Sequence, residues 1–112
     1  MKIREEEHSG VKVLVLEGEL TIDTSEELEE KIKVCLKEGG CFILDLSSLA
    51  YVDSSGLGIL VQFHKSLRAK NGKIVLASLT DNVRKVMEIT RLIKLFEVFP
   101  SRSEAVHSIG KG

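Results

Sequence analysis

The sequence has no tryptophan, a single proline and only two cysteines, Cys35 and Cys41. Two cysteines among apolar neighbours cannot build a disulfide framework or a metal site, and a reducing compartment is expected. With one proline and neither repeats nor low-complexity stretches, nothing in the chain reads as a linker. Charge of one sign is also lacking: 16 Lys and Arg stand against 17 Asp and Glu, a formal net charge of -1, which excludes the global basic character that draws proteins to nucleic acid. The opening MKIREEEHSG has no apolar core of the signal-peptide kind. No apolar run approaches the ~20 residues needed to cross a bilayer, so a soluble cytoplasmic protein is expected, without membrane insertion or direct DNA binding.

What the chain does have is 43% hydrophobic and 29% charged residues in a length of 112. Such a chain is one small domain, 1–112, able to bury a single core but with little surface for an elaborate cleft. Binding or switching therefore fits better than multistep catalysis. The near-neutral sum hides an asymmetry, since residues 1–30 carry three cations and ten anions whereas residues 31–112 carry thirteen cations and seven anions. The acidic clusters EEE at 5–7 and EELEE at 26–30 lie beside apolar periodicity and read as solvated faces.

The periodicities give an order of elements. KIREEEH and VKVLVLEGEL, separated by Ser9-Gly10, read as a hairpin whose second strand is buried on both sides. Thr24 and Glu27 form a candidate capping box for a helix over about 24–38, with Leu28, Ile32, Cys35 and Leu36 inward. CFILDL at 41–46 reads as a central strand. A second helix over about 54–70 follows from Leu57, Leu60, Val61, His64 and Leu67, with Lys65, Arg68 and Lys70 at its negative end and a glycine C-cap from Asn71-Gly72. KIVLAS is a further strand, and Thr80 or Asp81 caps a helix carrying Val83, Val86, Met87 and Thr90. LFEVFP at 95–100 is extended, and Ser101 with Glu104 opens a last helix with Ala105, Val106 and Ile109 inward. The expectation is an α/β sandwich: an N-terminal β-hairpin, then alternating helices and strands, with a mixed central sheet and about four helices.

Residues 49–60, LAYVDSSGLGIL, are the informative stretch. A strand that enters a helix through small polar residues gathers backbone N–H groups and partial positive charge at the junction. Asp53 and Ser54 are candidate caps, and Ser55 falls in the first turn with an accessible hydroxyl. Gly56 and Gly58 each cost the helix ~0.5–1 kcal/mol relative to alanine, so close packing or the close approach of another molecule has to compensate.

The string YVDSSGLGIL closely resembles the DSSGLG-type signature of the STAS domain family, and more narrowly of the bacterial anti-sigma factor antagonists, the anti-anti-sigma factors. GEL at 18–20, ILDLSSL at 43–49, NGKIVLAS at 71–78 and the VRKVMEITRL stretch at 83–92 extend the resemblance over essentially the whole chain. It implies a binding module regulated by phosphorylation. Ser55 matches the serine phosphorylated by an anti-sigma factor that is itself a serine kinase, Asp53 its acidic neighbour, and Ser54 the hydroxyl that helps position the turn. The unphosphorylated form would bind the kinase and free the sigma factor. The phosphorylated form would let go, to be reset by a serine phosphatase. ATP would belong to the kinase, so no cofactor is expected in this chain, and no metal.

Rival readings meet obstacles. A serine hydrolase needs a base on its nucleophile, yet His64 falls more than two helical turns beyond Ser55, and G-x-S-x-G is absent. A receiver domain with Asp45 as phospho-acceptor needs an acidic pair closing its first strand, and the chain opens with a hairpin instead. Within the fold, an accessory subunit of a membrane transporter or part of a stress-signalling complex is the alternative. Thr21, Asp23 and Thr24 are expected at the same sheet end as Asp53 to Ser55, and with Leu57 and the exposed side of helix 54–70 they form the expected docking surface.

Overall fold

The computed structural model describes residues 1–110. Its elements in chain order are β1 (Lys2–His8), β2 (Val11–Leu20), α1 (Glu26–Glu38), β3 (Cys41–Val52), α2 (Ser54–Arg68), β4 (Lys73–Ala77), α3 (Asp81–Ile89), a short 3-10 turn (Leu92–Leu95), β5 (Glu97–Phe99) and α4 (Arg102–Gly110). The five strands form one sheet in sequence order. β1 is antiparallel to β2, and every later pairing is parallel. That order arises because α1, α2 and α3 all cross on the same face, so each new strand adds to the same edge.

Strand β2 explains why the sheet is covered twice. Leu14 and Leu16 lie in the core beneath α1, α2 and α3, while Val11, Val13 and Val15 join Ile43, Val75 and Ala77 in a smaller core with Ala105 and Val106 of α4. The alternation of β2 is thus apolar on both sides, as the hairpin reading required. The Ser101 hydroxyl accepts from the Glu104 N–H at 3.2 Å, so the expected cap opens α4.

Several boundaries differ from the expectation, each for a physical reason. The strand expected to stop at residue 46 runs to Val52. Extra residues in β3, opposite Val15–Glu17 and Gly18–Glu19 of β2, shift the register, turn Ser47 and Ser48 outward and return Leu49 and Val52 to the core. A period of two cannot reveal such a strand. The capping box at Thr24 and Glu27 does not form. Helix α1 starts at Glu26 behind Ser25, and the Glu27 carboxylate instead accepts from the Ile3 N–H at 2.7 Å. Helix α2 ends at Arg68 rather than 70, where Asn71 (φ 65) takes the left-handed position expected of a glycine. Gly72 is needed for another reason, since a Cβ there would stand 2.2 Å from the Gly40 carbonyl oxygen.

Asp45 belongs to the scaffold. It is 5% exposed, accepts from the Ser47 N–H at 3.0 Å, and receives the Arg102 Nε and Nη2 at 3.0 and 2.8 Å. Arg102 also reaches Glu6, so one side chain ties α4 to β3 and β1. Burial alone would push the Asp45 carboxyl up, but the Ser47 N–H and hydroxyl and the Arg102 guanidinium outweigh it and hold it below the usual carboxylate range. A depressed carboxyl stabilises the fold above its unfolded-state value of about 4, and the contribution is lost as pH falls through the folded-state value. Arg102→Ala leaves a nearly buried carboxylate without its cation and is expected to cost about 2 kcal/mol, between the ranges for exposed and buried pairs. Urea denaturation at neutral pH measures that loss, and the difference from the parent should shrink on acidification below about pH 4.

Cys35 is fully buried, and burial is the main reason its thiol is pushed up to about 11. Cys41 is only half-buried. A thiol reagent at neutral pH should therefore modify Cys41 first and reach Cys35 only in denaturant. One fast-reacting thiol in the native protein is the expected result; two equally fast ones would contradict the packing.

Candidate functional site

Strands β2 and β3 end together, β4 stops earlier opposite Asp45, and the loops that leave all three lie on the carboxyl-terminal side of the sheet. This is where open α/β sheets place ligands and partners. The β2 and β3 ends are locked together: Leu20 pairs with Val52, and the Asp53 N–H donates to the Leu20 carbonyl at 3.2 Å. The β4 end joins them through Thr80, whose hydroxyl donates to the Leu49 carbonyl at 3.0 Å and caps α3 at the Val83 N–H.

Asp53 is the N-cap of α2. Its backbone is extended, and its carboxylate accepts from the Gly56 N–H at 2.8 Å. Ser54 and Ser55 then occupy the first turn, and both are exposed. The cap fixes the turn from within and leaves the Ser55 hydroxyl outward on a rigid helix rather than on a loose loop.

Gly56 answers the question its position raised. A Cβ there would meet the Leu20 carbonyl oxygen at 2.4 Å, the Leu20 Cγ at 2.8 Å and a Val52 methyl at 2.9 Å. The helix start is thus pressed onto the β2–β3 seam, and packing is what excludes a side chain. Gly58 differs, since it is exposed with nothing within 4 Å of its missing Cβ. It leaves bare backbone on the outer face of α2, one turn from Ser54. Leu57 does not do what was expected of it: at 1% exposure it packs in the core and offers no surface to a partner.

The neighbouring loop is held by two threonines. The Thr24 hydroxyl donates to the Glu19 carbonyl at 2.7 Å and accepts from the Thr21 N–H at 2.9 Å, and the Thr21 hydroxyl accepts from the Asp23 N–H at 3.2 Å. These bonds leave Asp23 exposed and project Ile22 into solvent at 68% exposure. The sequence reading passed over Ile22. An aliphatic side chain in the polar run TIDTS, where no helical or strand period asks for one, was the available signal.

His64 lies away from the site. Its Nδ1 accepts from the Ile74 N–H at 3.3 Å and its ring sits 5.1 Å from that of Phe96. Burial and then Arg68 lower its pKa, so it is a neutral packing residue far down α2 from Ser55. Among the described residues no cluster of His, Cys, Asp and Glu is arranged to hold a metal ion. No described helix is long and apolar enough to cross a membrane.

The segments around Ser55 are acidic, and the cations flanking this end, Arg84 in the first turn of α3 and Arg102 bound to Asp45, belong to other elements. Residues 13–30, 42–64 and 74–83, which build it, contain no lysine or arginine, while Glu19, Asp23, Glu26, Asp53 and Asp81 are all present. An added anion at Ser55 would have the helix N-terminus beside it and no cation from these segments to fold back onto.

The comparisons agree with the geometry. A model of the STAS domain matches residues 2–105, and the chain belongs to the STAS domain family. The anti-sigma-B factor antagonist of Listeria monocytogenes is 33% identical over 99 residues, covering 88% of this chain and 86% of that protein. An anti-sigma factor antagonist from Mycobacterium paratuberculosis superposes with a TM-score of 0.86 at 26% identity, over 96% of this chain and 92% of that one. The anti-sigma factor antagonist SpoIIAA, in its unphosphorylated form, shares the fold with a TM-score of 0.82 at 24% identity, over 99% of this chain and 98% of that one. In its phosphorylated form the Bacillus protein gives a TM-score of 0.74 at the same 24% identity, covering 96% of this chain and 99% of that one.

Proposed function

We propose that this chain is an anti-sigma factor antagonist whose binding is switched by phosphorylation of Ser55. In the unphosphorylated state it binds an anti-sigma factor that is a serine kinase and so releases the sigma factor. Transfer of the terminal phosphoryl group from the kinase's ATP to the Ser55 oxygen ends the interaction, and a serine phosphatase restores it. The chain works in the cytoplasm and binds no DNA itself.

The observation that carries this reading is the exposed Ser55 hydroxyl on a turn fixed by the Asp53 cap and the Gly56 contact. A kinase needs a hydroxyl it can reach at a reproducible position, and a rigid helix start provides one. A phosphate there adds about -1.5 to -2 charge at a helix N-terminus, which favours a nearby anion by ~0.3–1 kcal/mol, so the domain stays folded. In the complex the same phosphate stands against Asp53 in a water-poor interface. For two charges and one at about 6 Å the repulsion is on the order of 5 kcal/mol at an effective dielectric constant of about 20, and roughly 1 in bulk water.

The test is intact mass and peptide mapping after incubation with ATP and each serine kinase of the anti-sigma type from the same genome, with Ser55→Ala in parallel. One added phosphate on Ser55, absent from the alanine variant, is the expected result. No phosphate from a kinase that is active on another substrate would move the assignment to the transporter-associated branch of the family.

A further inference from the structure

The sheet has two outer strands, β1 with seven residues and β5 with three. An edge as long as that of β1 offers its free N–H and C=O groups to any strand laid alongside. Which groups these are follows from the turn. Ser9 (φ 54) and Gly10 (φ 81) form a two-residue hairpin loop of type I′, so the closing pair, His8 with Val11, is hydrogen-bonded. Pairs alternate from there: Glu6, Arg4 and Lys2 bond to β2, while Glu7, Glu5 and Ile3 turn their backbone groups to the outer edge.

Helix α1 clasps that edge twice. The Ile3 N–H donates to the Glu27 carboxylate at 2.7 Å, and the Lys31 ammonium reaches the Glu5 carboxylate at 3.4 Å. The spacings match, because four helical residues advance about 6 Å and two strand residues about 6.8 Å. The first clasp is the one that matters for pairing. It is charge-assisted, and it occupies a backbone donor that an incoming strand would need.

We infer that the outer edge of β1 is a pairing site for a second copy of this chain and that Glu27 keeps it shut. The strand is complementary to itself. Laid antiparallel about Glu5, two copies set Ile3 opposite Glu7 and Arg4 opposite Glu6, placing opposite charges across one side of the ribbon. Arg4 uses its Nε–H on Glu17 at 2.8 Å, which leaves the rest of its guanidinium for Glu6 of the second copy. On the other side the two Glu5 carboxylates meet, each with a Lys31 beside it. Every outward pair exchanges two bonds, so this ladder needs the Ile3 N–H of both copies. Glu27 withholds both, and it adds a carboxylate to a strand that already carries Glu5, Glu6 and Glu7. The device is independent of Ser55 and of the kinase.

Sedimentation equilibrium of the full chain over a range of concentrations tests it. Glu27 is exposed, so its replacement leaves the core intact. Glu27→Ala frees both Ile3 donors and should tighten self-association at least about tenfold. Glu27→Gln keeps an oxygen that can accept from Ile3 and should stay closer to the parent than to Glu27→Ala. Adding Glu5→Pro to Glu27→Ala removes the central outward N–H without breaking a bond to β2, and association should return to the parent level. Glu7→Pro does the same one pair along, should the first proline disturb the hairpin. Equal association of the parent and Glu27→Ala, both with the parent's circular dichroism spectrum, overturns the inference, whether both are monomers or both dimers. A Glu27→Ala dimer that a folded proline variant leaves intact also overturns it, since the contact would then lie elsewhere.

Discussion

Ser55 phosphorylation is expected to weaken binding to the serine kinase by up to about a thousandfold, because a repulsion of ~1 kcal/mol in the exposed free chain grows to ~5 kcal/mol in a water-poor interface and only the increase opposes binding. The far-ultraviolet circular dichroism spectrum should not change. The separation follows from how the turn is built. Asp53 holds the Gly56 N–H, and the Leu57 N–H donates to the Asp53 carbonyl, so the helix start is complete without the serine hydroxyl. Ser55→Ala is accordingly expected to bind with near-parent affinity but never to be released. Ser55→Asp, with one charge in place of nearly two, should fall between the two forms. Asp53→Asn separates the two roles of the aspartate, because an amide oxygen can still cap while its charge is gone. The variant should stay folded, losing no more than about 1 kcal/mol, and its phosphorylated form should be released less completely. Melting of α2 on phosphorylation would show that the switch works by unfolding, contrary to the geometry.

Gly56→Ala has the largest expected effect on the fold. In a helix interior the exchange should gain ~0.5–1 kcal/mol, yet the new methyl would stand 2.4 Å from the Leu20 carbonyl oxygen of β2, which already accepts from the Asp53 N–H. Overpacking of that kind typically costs about 1–3 kcal/mol, and here the obstacle is backbone, so a net loss of about 2 kcal/mol is expected. For a domain of this size that lowers the melting temperature by roughly 10 °C. Because relief of the clash has to lift the start of α2 from β2, Ser55 shifts with it, and phosphorylation should slow as well. Gly58→Ala is the matched control: its Cβ enters open space, and it should raise stability by ~0.5–1 kcal/mol. If Gly58→Ala also slowed phosphorylation while stabilising the fold, its bare backbone would be a contact for the kinase. Equal stability changes for the two glycines would contradict the packing.

The α/β order and the position of Ser55 were legible because their signals are local. Strand β2 announces itself by β-branched alternation, and α2 by an apolar stripe behind DSSG. What the sequence concealed depends on partners distant along the chain. The extension of β3 to Val52 rests on irregular register with β2. Glu27 reads as half of a capping box, yet it is used by the Ile3 N–H, which only the hairpin brings near. Leu57 sits beside the exposed serines but points inward, because one residue along a helix is about 100° around it, from 3.6 residues per turn. For Gly56 and Gly58 one pattern covers two physical reasons, a crowded seam and an open face, and only the surroundings tell them apart. Asp45 resembles a phospho-acceptor until Arg102, 57 residues later, is seen to hold it. Ile22 was missed because an exposed aliphatic group means little until its neighbours are known.

The most direct measurement is the dissociation constant of the ADP-bound kinase for the unmodified chain and for the same chain stoichiometrically phosphorylated on Ser55, with circular dichroism of both. The account predicts at least about tenfold weaker binding of the phosphorylated form and superimposable spectra. Equal affinities would remove Ser55 as the switch, and weaker binding accompanied by loss of helix would replace local electrostatics with unfolding as its cause.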